Sequence, residues 1–281
     1  MNTENLLNMI CDGARSLETN AEDFRNEEGL LICGKCQTPK ETILKFGNKT
    51  IVVRCLCKCE VEARDASERH YAEEQRKMKI YEMRRAAFND PSLKECVFSN
   101  DDLLNTKLSK ISRKYADIFP EMQKRSKGLL LFGPVGTGKT FYASCIANAL
   151  LDKGYSCMVT TFARIVNVLS TPGVNKQDYI DYLCKYELLV IDDLASERNT
   201  EFMNEQVMNV IDSRYRSKKP IIVTTNLTSE ELKNPTEVAK QRIYSRLMEM
   251  CYPVEVKGTD HRKQKLRDDF GGLKELLEEE E

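Results

Sequence analysis

Two groups of residues in this chain have the types and spacing that chemistry demands. The first is Gly133-Pro134-Val135-Gly136-Thr137-Gly138-Lys139-Thr140, which fits G-x-x-x-x-G-K-[ST] at every position. Glycines in such a loop let backbone N–H groups turn inward around phosphates, and a helix opening at Phe141 adds partial positive charge. Lys139 would reach the β- and γ-phosphates of a nucleotide such as ATP, and Thr140 would hold Mg²⁺ through its hydroxyl. The competing reading, an ordinary glycine turn, has no use for the lysine and threonine. The second group is Cys33-x-x-Cys36, then eighteen residues, then Cys55-x-Cys57-x-Cys59. That is the spacing of two metal-binding knuckles. A tetrahedral Zn²⁺ takes four thiolates at about 2.3 Å. Five cysteines therefore leave one redundant, within Cys55, Cys57 and Cys59. No histidine falls in the segment, so the site would be all-cysteine, closed, and structural. The alternative is a small core of free cysteines.

These residues need elements to position them. Short apolar runs at Gly128–Phe132, Met158–Thr161, Leu188–Ile191, Ile221–Thr225 and Val254–Val256 alternate with helical patterns such as Phe141–Leu151 and Glu201–Tyr215. Alternation of this kind predicts an α/β fold, a mainly parallel sheet covered on both faces by helices. The phosphate loop leaves the first of these strands. Leu188-Leu189-Val190-Ile191 runs into Asp192-Asp193, which places two carboxylates at a strand end. Asp192 would complete the Mg²⁺ shell and Asp193 would orient or activate water, with Glu197 a weaker candidate. Asn226 ends the strand Ile221–Thr225 and could polarise the attacking water. Arg242 and Arg246 lie four apart on one helix face. They are either a solvated basic surface or an arginine finger that serves a nucleotide held by a neighbouring subunit.

Ahead of the sheet, residues 60 to 90 are dense in charge and poor in Gly and Pro. Glu60/Arg64, Arg69/Glu73 and Glu73/Lys77 stand four apart, which predicts a solvated connecting helix ending near Asn89-Asp90-Pro91. The expected organisation is a zinc-binding domain over 1–60, a helical connector over 61–127, an ATPase domain over 128–270 and an acidic tail over 271–281. The chain has 281 residues, 41% of them hydrophobic and 31% charged, and a net charge of −1. A whole-molecule basic footprint is excluded, so nucleic acid could be met only by a local patch. No apolar run approaches the roughly 18 residues of a membrane span. Eleven cysteines without an export signal point to a reducing, cytoplasmic setting.

Read together, GPVGTGKT, LLVIDDLASE, NVIDSRYRSKKPIIVTTNL and QRIYSRLMEM resemble the AAA+ ATPases of the DnaC type, the replicative-helicase loaders of bacteria and phages. The IstB-type transposition helpers share these motifs. The resemblance covers residues 95 to 265 and implies a P-loop AAA+ core. It implies Walker A roles for Gly133 to Phe141, Walker B roles for Asp192 and Asp193, sensor 1 for Asn226, and the finger for Arg246 with Arg242 beside it. Arg262 would be a sensor-2 arginine. Two positions depart from the pattern. Asp193 stands where most such enzymes have Glu, which implies slow hydrolysis, and Ala195 stands where many have Gly.

The implied function is loading of a hexameric replicative DNA helicase. ATP binding and hydrolysis would act as a conformational switch, with self-association through the ATPase domain and contact with single-stranded DNA. The N-terminal zinc module would dock on the helicase. An IstB-like transposition helper and a non-hydrolysing ATP-bound adaptor are the alternatives, and a small-molecule P-loop kinase fits less well.

Overall fold

The computed structural model describes residues 20–47, 49–103, 105–194, 201–260 and residue 270. Arg262, Ala195, Glu197, Cys11 and the acidic tail lie outside the described residues. The chain divides into two compact units between Lys77 and Met78, within the helix read as a connector. No described helix is long and apolar enough to cross a membrane.

The first unit is small and strand-poor. β1 (Phe24–Arg25) pairs antiparallel with β2 (Leu31–Ile32), and β3 (Glu41–Phe46) pairs antiparallel with β4 (Lys49–Arg54). Its interior holds Leu30, Leu31, Ile32, Cys33 and Cys57, while Ile43, Leu44 and Val52 stay exposed. Within it, Lys40 Nζ meets Asp23 Oδ2 at 2.6 Å with both side chains almost inaccessible. So little buried hydrocarbon cannot offset the ordering entropy of this segment, and small modules of this size usually carry a staple.

Helix α1 (Lys58–Ala87) begins here. Of the expected charge pairs, Glu73 and Lys77 meet at 3.4 Å. Glu60 instead meets Arg54 at 3.1 Å and accepts from Cys57 N at 3.0 Å, which leaves Arg64 to Glu68. A carboxylate in a first helical turn is drawn to free backbone N–H groups as well as to the next turn.

The second unit is built on a five-stranded, wholly parallel sheet. Its strands are β5 (Gly128–Phe132), β6 (Cys157–Thr161), β7 (Leu188–Leu194), β8 (Ile221–Thr225) and β9 (Cys251–Glu255), in the spatial order β6-β7-β8-β5-β9. Strands buried on both faces need not alternate apolar with polar, which is why these read as continuous apolar runs. Successive side chains still go to opposite faces. Leu130, Leu189, Ile191 and Val223 join one core, while Leu129, Leu131, Val190 and Ile222 join the other.

The first core is covered by α5 (Phe162–Ser170), α6 (Lys176–Lys185), α7 (Glu201–Arg216) and α9 (Val238–Met250), through Ile165, Leu183, Ile211 and Leu247 among others. The second is covered by α2 (Thr106–Asp117), α3 (Phe119–Lys124) and α4 (Lys139–Asp152), through Leu108, Phe119, Ile146 and Leu150. A short helix α8 (Ser229–Lys233) follows β8, opened by a capping box between Thr228 and Glu231. The sheet is therefore the doubly covered parallel sheet that the alternation predicts, although β7 runs on to Leu194 and β9 starts at Cys251.

One buried cation ties the layers. Arg214 is fully inaccessible and donates to the carbonyls of Tyr186 (2.7 Å), Glu187 (2.9 Å), Pro220 (2.6 Å) and Cys184 (3.3 Å). Burial pulls its guanidinium down to about 10, and the carbonyl fork takes the place of water. The chain leaves β5 towards β6 on one side and places β9 on its other side. Where strand order reverses in this way, a crevice opens beyond the strands' C-terminal ends.

Candidate functional site

The phosphate loop sits at that crevice, between β5 and α4. Gly133 has φ 134°, and a Cβ there would stand 2.3 Å from the carbonyl oxygen of Val256. Gly136 has φ 78°, and a Cβ there would collide with the Asp260 carboxylate, 1.9 Å from Oδ1. Only glycine satisfies both the backbone angles and the close approach. The loop closes on itself: Lys139 Nζ donates to Gly133 O at 2.9 Å and Pro134 O at 2.6 Å, and Thr137 Oγ1 donates to Pro134 O at 2.9 Å. Helix α4 starts from Gly138 with no side chain capping it. Its first N–H groups thus form the concave donor set that binds anions.

Beside the loop, Thr140 Oγ1 lies 2.9 Å from Asp192 Oδ1 and 3.1 Å from Oδ2. Asp192 also accepts from Thr224 Oγ1 at 2.5 Å. Burial raises its carboxyl above the ordinary range, while the Thr224 and Thr140 hydroxyls and the Lys139 charge pull the other way. A hydroxyl and a poorly solvated carboxylate facing each other are hard oxygen donors of the kind Mg²⁺ takes.

A regular strand would send consecutive side chains to opposite faces. Here the pairing of β7 with β8 slips between Ile191 and Leu194, and Asp193 adopts φ 55°. Its N–H donates to Thr224 Oγ1 at 3.0 Å. The slip lets Asp192 reach Thr140 while Asp193 lines the cavity. That cavity, about 320 Å³, is walled by Val135, Gly136, Gly138, Lys139, Thr140 and Phe141 on the loop side and by Asp193 and Asn226 at the strand ends. Its remaining wall is Asn100, Asp102, Asn105 and Tyr142.

Arg242 and Arg246 do not line this cavity. Arg242 is exposed on α9. Arg246 Nε donates to Asp212 Oδ1 at 3.1 Å, its other end meets Glu249 at 3.3 Å, and its guanidinium stacks 4.4 Å over the Tyr215 ring.

In the first unit, Cys33, Cys36, Cys57 and Cys59 bring their sulfurs within 4.8 Å of one another. Four sulfurs at the corners of a Zn–thiolate tetrahedron would lie about 3.8 Å apart, so the group fits such an ion. Cys55 is the sulfur left out, and it faces Pro39 O at 3.4 Å. The Thr38 hydroxyl, 3.0 Å from Cys36 Sγ, holds that thiol down to about 5, whereas burial pushes Cys57 up to about 12. Four crowded sulfurs cannot all ionise unaided, and a dication is what would let them.

Sequence reasoning missed Thr224 and the wall Asn100, Asp102, Asn105 and Tyr142. Thr224 carried a signal, because a hydroxyl inside the fully buried strand Ile221–Thr225 must find a partner. Asn100, Asp102 and Asn105 carried none, since they come from a short 3₁₀ turn, loop and a helix cap without periodicity, and Tyr142 reads as one more residue of the α4 helix pattern.

Comparison with known proteins adds to this geometry. A family model described as IstB-like ATP binding protein matches residues 64–268. The replicative helicase loader DnaI of Bacillus subtilis is 27% identical over 150 residues, 49% of this chain and 48% of that protein. The replicative helicase loader DnaC of Escherichia coli is 27% identical over 140 residues, 48% of this chain and 55% of that protein. The chain thus spans about half the length of the curated relatives it matches. Among solved structures, a DnaI crystal structure superposes with TM-score 0.54 at 23% identity, covering 63% of this chain and 98% of that one. At that identity the likeness speaks for the fold alone.

Proposed function

This chain belongs to the family of IstB-like ATP binding proteins, and from that premise we propose that it is an ATP-dependent loader of a replicative DNA helicase. The observation that carries the loader reading is its similarity to DnaI and DnaC, both named as loaders, over about half of the chain. The four-cysteine unit lies ahead of the family match and gives the chain a separate module for docking on that helicase.

In this reading ATP occupies the cavity. Loop N–H groups and the start of α4 hold its phosphates, and Lys139 turns from its own loop carbonyls to the β- and γ-phosphates. Mg²⁺, held by Thr140 and Asp192, would neutralise charge on the phosphate oxygens. Asp193 accepts a proton from the attacking water, and Asn226 donates to that water or to the γ-phosphate. Aspartate is one methylene shorter than glutamate and holds the water less closely, so hydrolysis is slow unless a partner tightens the site.

Arg246 and Arg242, away from their own chain's cavity, serve a neighbouring subunit's nucleotide, and Arg262 completes the set. Zn²⁺ on Cys33, Cys36, Cys57 and Cys59 is structural. Single-stranded DNA and a cytoplasmic location complete the proposal.

The family model favours one other reading, a transposition helper of the IstB type. Affinity capture with a hexameric replicative helicase and, separately, with a transposase tests the choice. Stoichiometric capture of the helicase is expected, and capture of the transposase alone would sink the loader reading.

A further inference from the structure

The wall of Asn100, Asp102, Asn105 and Tyr142 is held by one buried carboxylate that no motif contains. Asp101 has an inaccessible side chain. It accepts from Ser109 Oγ at 2.5 Å, Tyr142 Oη at 2.6 Å, Leu103 N at 3.0 Å and Arg113 Nη2 at 3.3 Å. These donors come from three places: its own loop, helix α2, and helix α4 just past the phosphate loop. Arg113 also donates to Phe98 O at 2.7 Å and stacks 4.7 Å over the Phe98 ring. Burial alone would raise the Asp101 carboxyl, yet the Ser109, Tyr142, Leu103 and Arg113 donors bring it below the ordinary range.

Its neighbours in sequence, Asn100 and Asp102, line the cavity, as does its partner Tyr142. Asn105, which also lines it, caps α2 and donates to Lys257 O at 3.1 Å. Lys139 and Thr140 fix the phosphate end of the cavity, and the Tyr142 ring stands against Gly138 of the loop. Asn100, Asp102 and Asn105 supply the lining that comes from neither the loop nor the strand ends, the part left to the ribose and base.

We propose that Asp101 is a positioning residue which clasps this loop to α2 and α4, and so sets the base end of the nucleotide cavity and its preference for adenine. The inference rests on the ATP reading above. Asp101 does not itself line the cavity, and it acts through Asn100, Asp102 and Tyr142. A buried carboxylate with four donors is demanding: an amide in its place presents N–H to some of them and loses the Arg113 charge.

The test compares ATP, GTP and inorganic tripolyphosphate, each with Mg²⁺, by calorimetry on the full chain. Asp101→Asn is expected to weaken ATP roughly ten- to hundredfold, the range for unsatisfied buried donors. The ratio of ATP to GTP affinity should collapse, while tripolyphosphate binding stays as in the unmodified protein. A merely structural role would weaken all three alike, and that outcome overturns the proposal, as would an unchanged ATP-to-GTP ratio. If Asp101→Asn does not fold, Ser109→Ala removes a single donor outside the cavity and should lower the same ratio in the same direction. An unmodified protein that binds neither ATP nor tripolyphosphate removes the nucleotide reading itself. Normal binding that Asp101→Asn leaves untouched removes only the clasp.

Discussion

At the scale of single residues, the site places two adjacent carboxylates in different surroundings. Asp192 is buried against Thr140 and Thr224, whereas Asp193 faces the cavity from a left-handed backbone position. In the proposed ATPase reading these separate environments would give the two acids separate tasks, one to hold a cation and one to handle a proton. Asp193→Asn is the clean probe, because asparagine tolerates positive φ better than most residues and keeps the shape while removing the base. ATP turnover should fall by about 10²-fold or more, the usual contribution of a general base. ATP affinity should change little, which equilibrium binding alongside a phosphate-release assay would show. Equal loss of both would mean that Asp193 binds the nucleotide and has no part in water activation.

At the scale of elements, the register slip of β7 against β8 is what gathers the site, and Thr224 fastens it by donating to Asp192 while accepting from Asp193 N. Thr224→Val keeps the shape and removes both bonds. A cost of about 1–3 kcal/mol is expected for the unsatisfied groups, read as a lower denaturation midpoint. The Thr224 bond lowers the Asp192 pKa, so its loss raises that pKa further. The acid limb of the ATPase pH profile should therefore move to higher pH. An unmoved limb would detach Asp192 from the reaction.

This is also the scale at which legibility in the sequence divides. The strand runs, the parallel sheet and the phosphate loop were readable because local periodicity and fixed spacing encode them. The slip was not, because nothing local says that Ile191 and Leu194 pair out of step. The wall at Asn100 to Asn105 was not, because its placement comes from Asp101, Arg113 and Tyr142 meeting across long sequence separations. The cysteine spacing left one of Cys55, Cys57 and Cys59 to discard, and only the packing around Pro39 singles out Cys55.

At the scale of the whole molecule, the proposed function gives the two units separate chemistry, and their dependence on metal and on a second chain should then separate as well. Freshly prepared reduced protein is expected to hold about one zinc per chain, with Cys55→Ser retaining it and Cys57→Ser losing it. Chelation should unfold the segment around residues 30–60 and abolish helicase capture while ATP binding survives. Loss of ATP binding on chelation would contradict that separation. The ATPase unit should in turn depend on its neighbour. Arg246 lies off its own cavity, and its contacts with Asp212, Glu249 and the Tyr215 ring hold it on the surface formed by α7 and α9. Those contacts are screened by solvent and contribute little to stability, so Arg246→Ala should fold and bind ATP normally. Its turnover should drop, since a guanidinium supplied across an interface is worth roughly 10³–10⁵ in rate in GTPases, and Asp193 puts this chain at the low end. Lys139→Ala should lose ATP binding, because Lys139 supplies charge to the loop. Mixed, the two inactive proteins can assemble a pairing in which an intact loop from the Arg246→Ala chain meets an intact arginine from the Lys139→Ala chain. Phosphate release should then recover in part, and the recovery should rise with total protein concentration. A mixture that co-elutes as an assembly yet stays inactive would place Arg246 in its own chain's structure and remove the shared site.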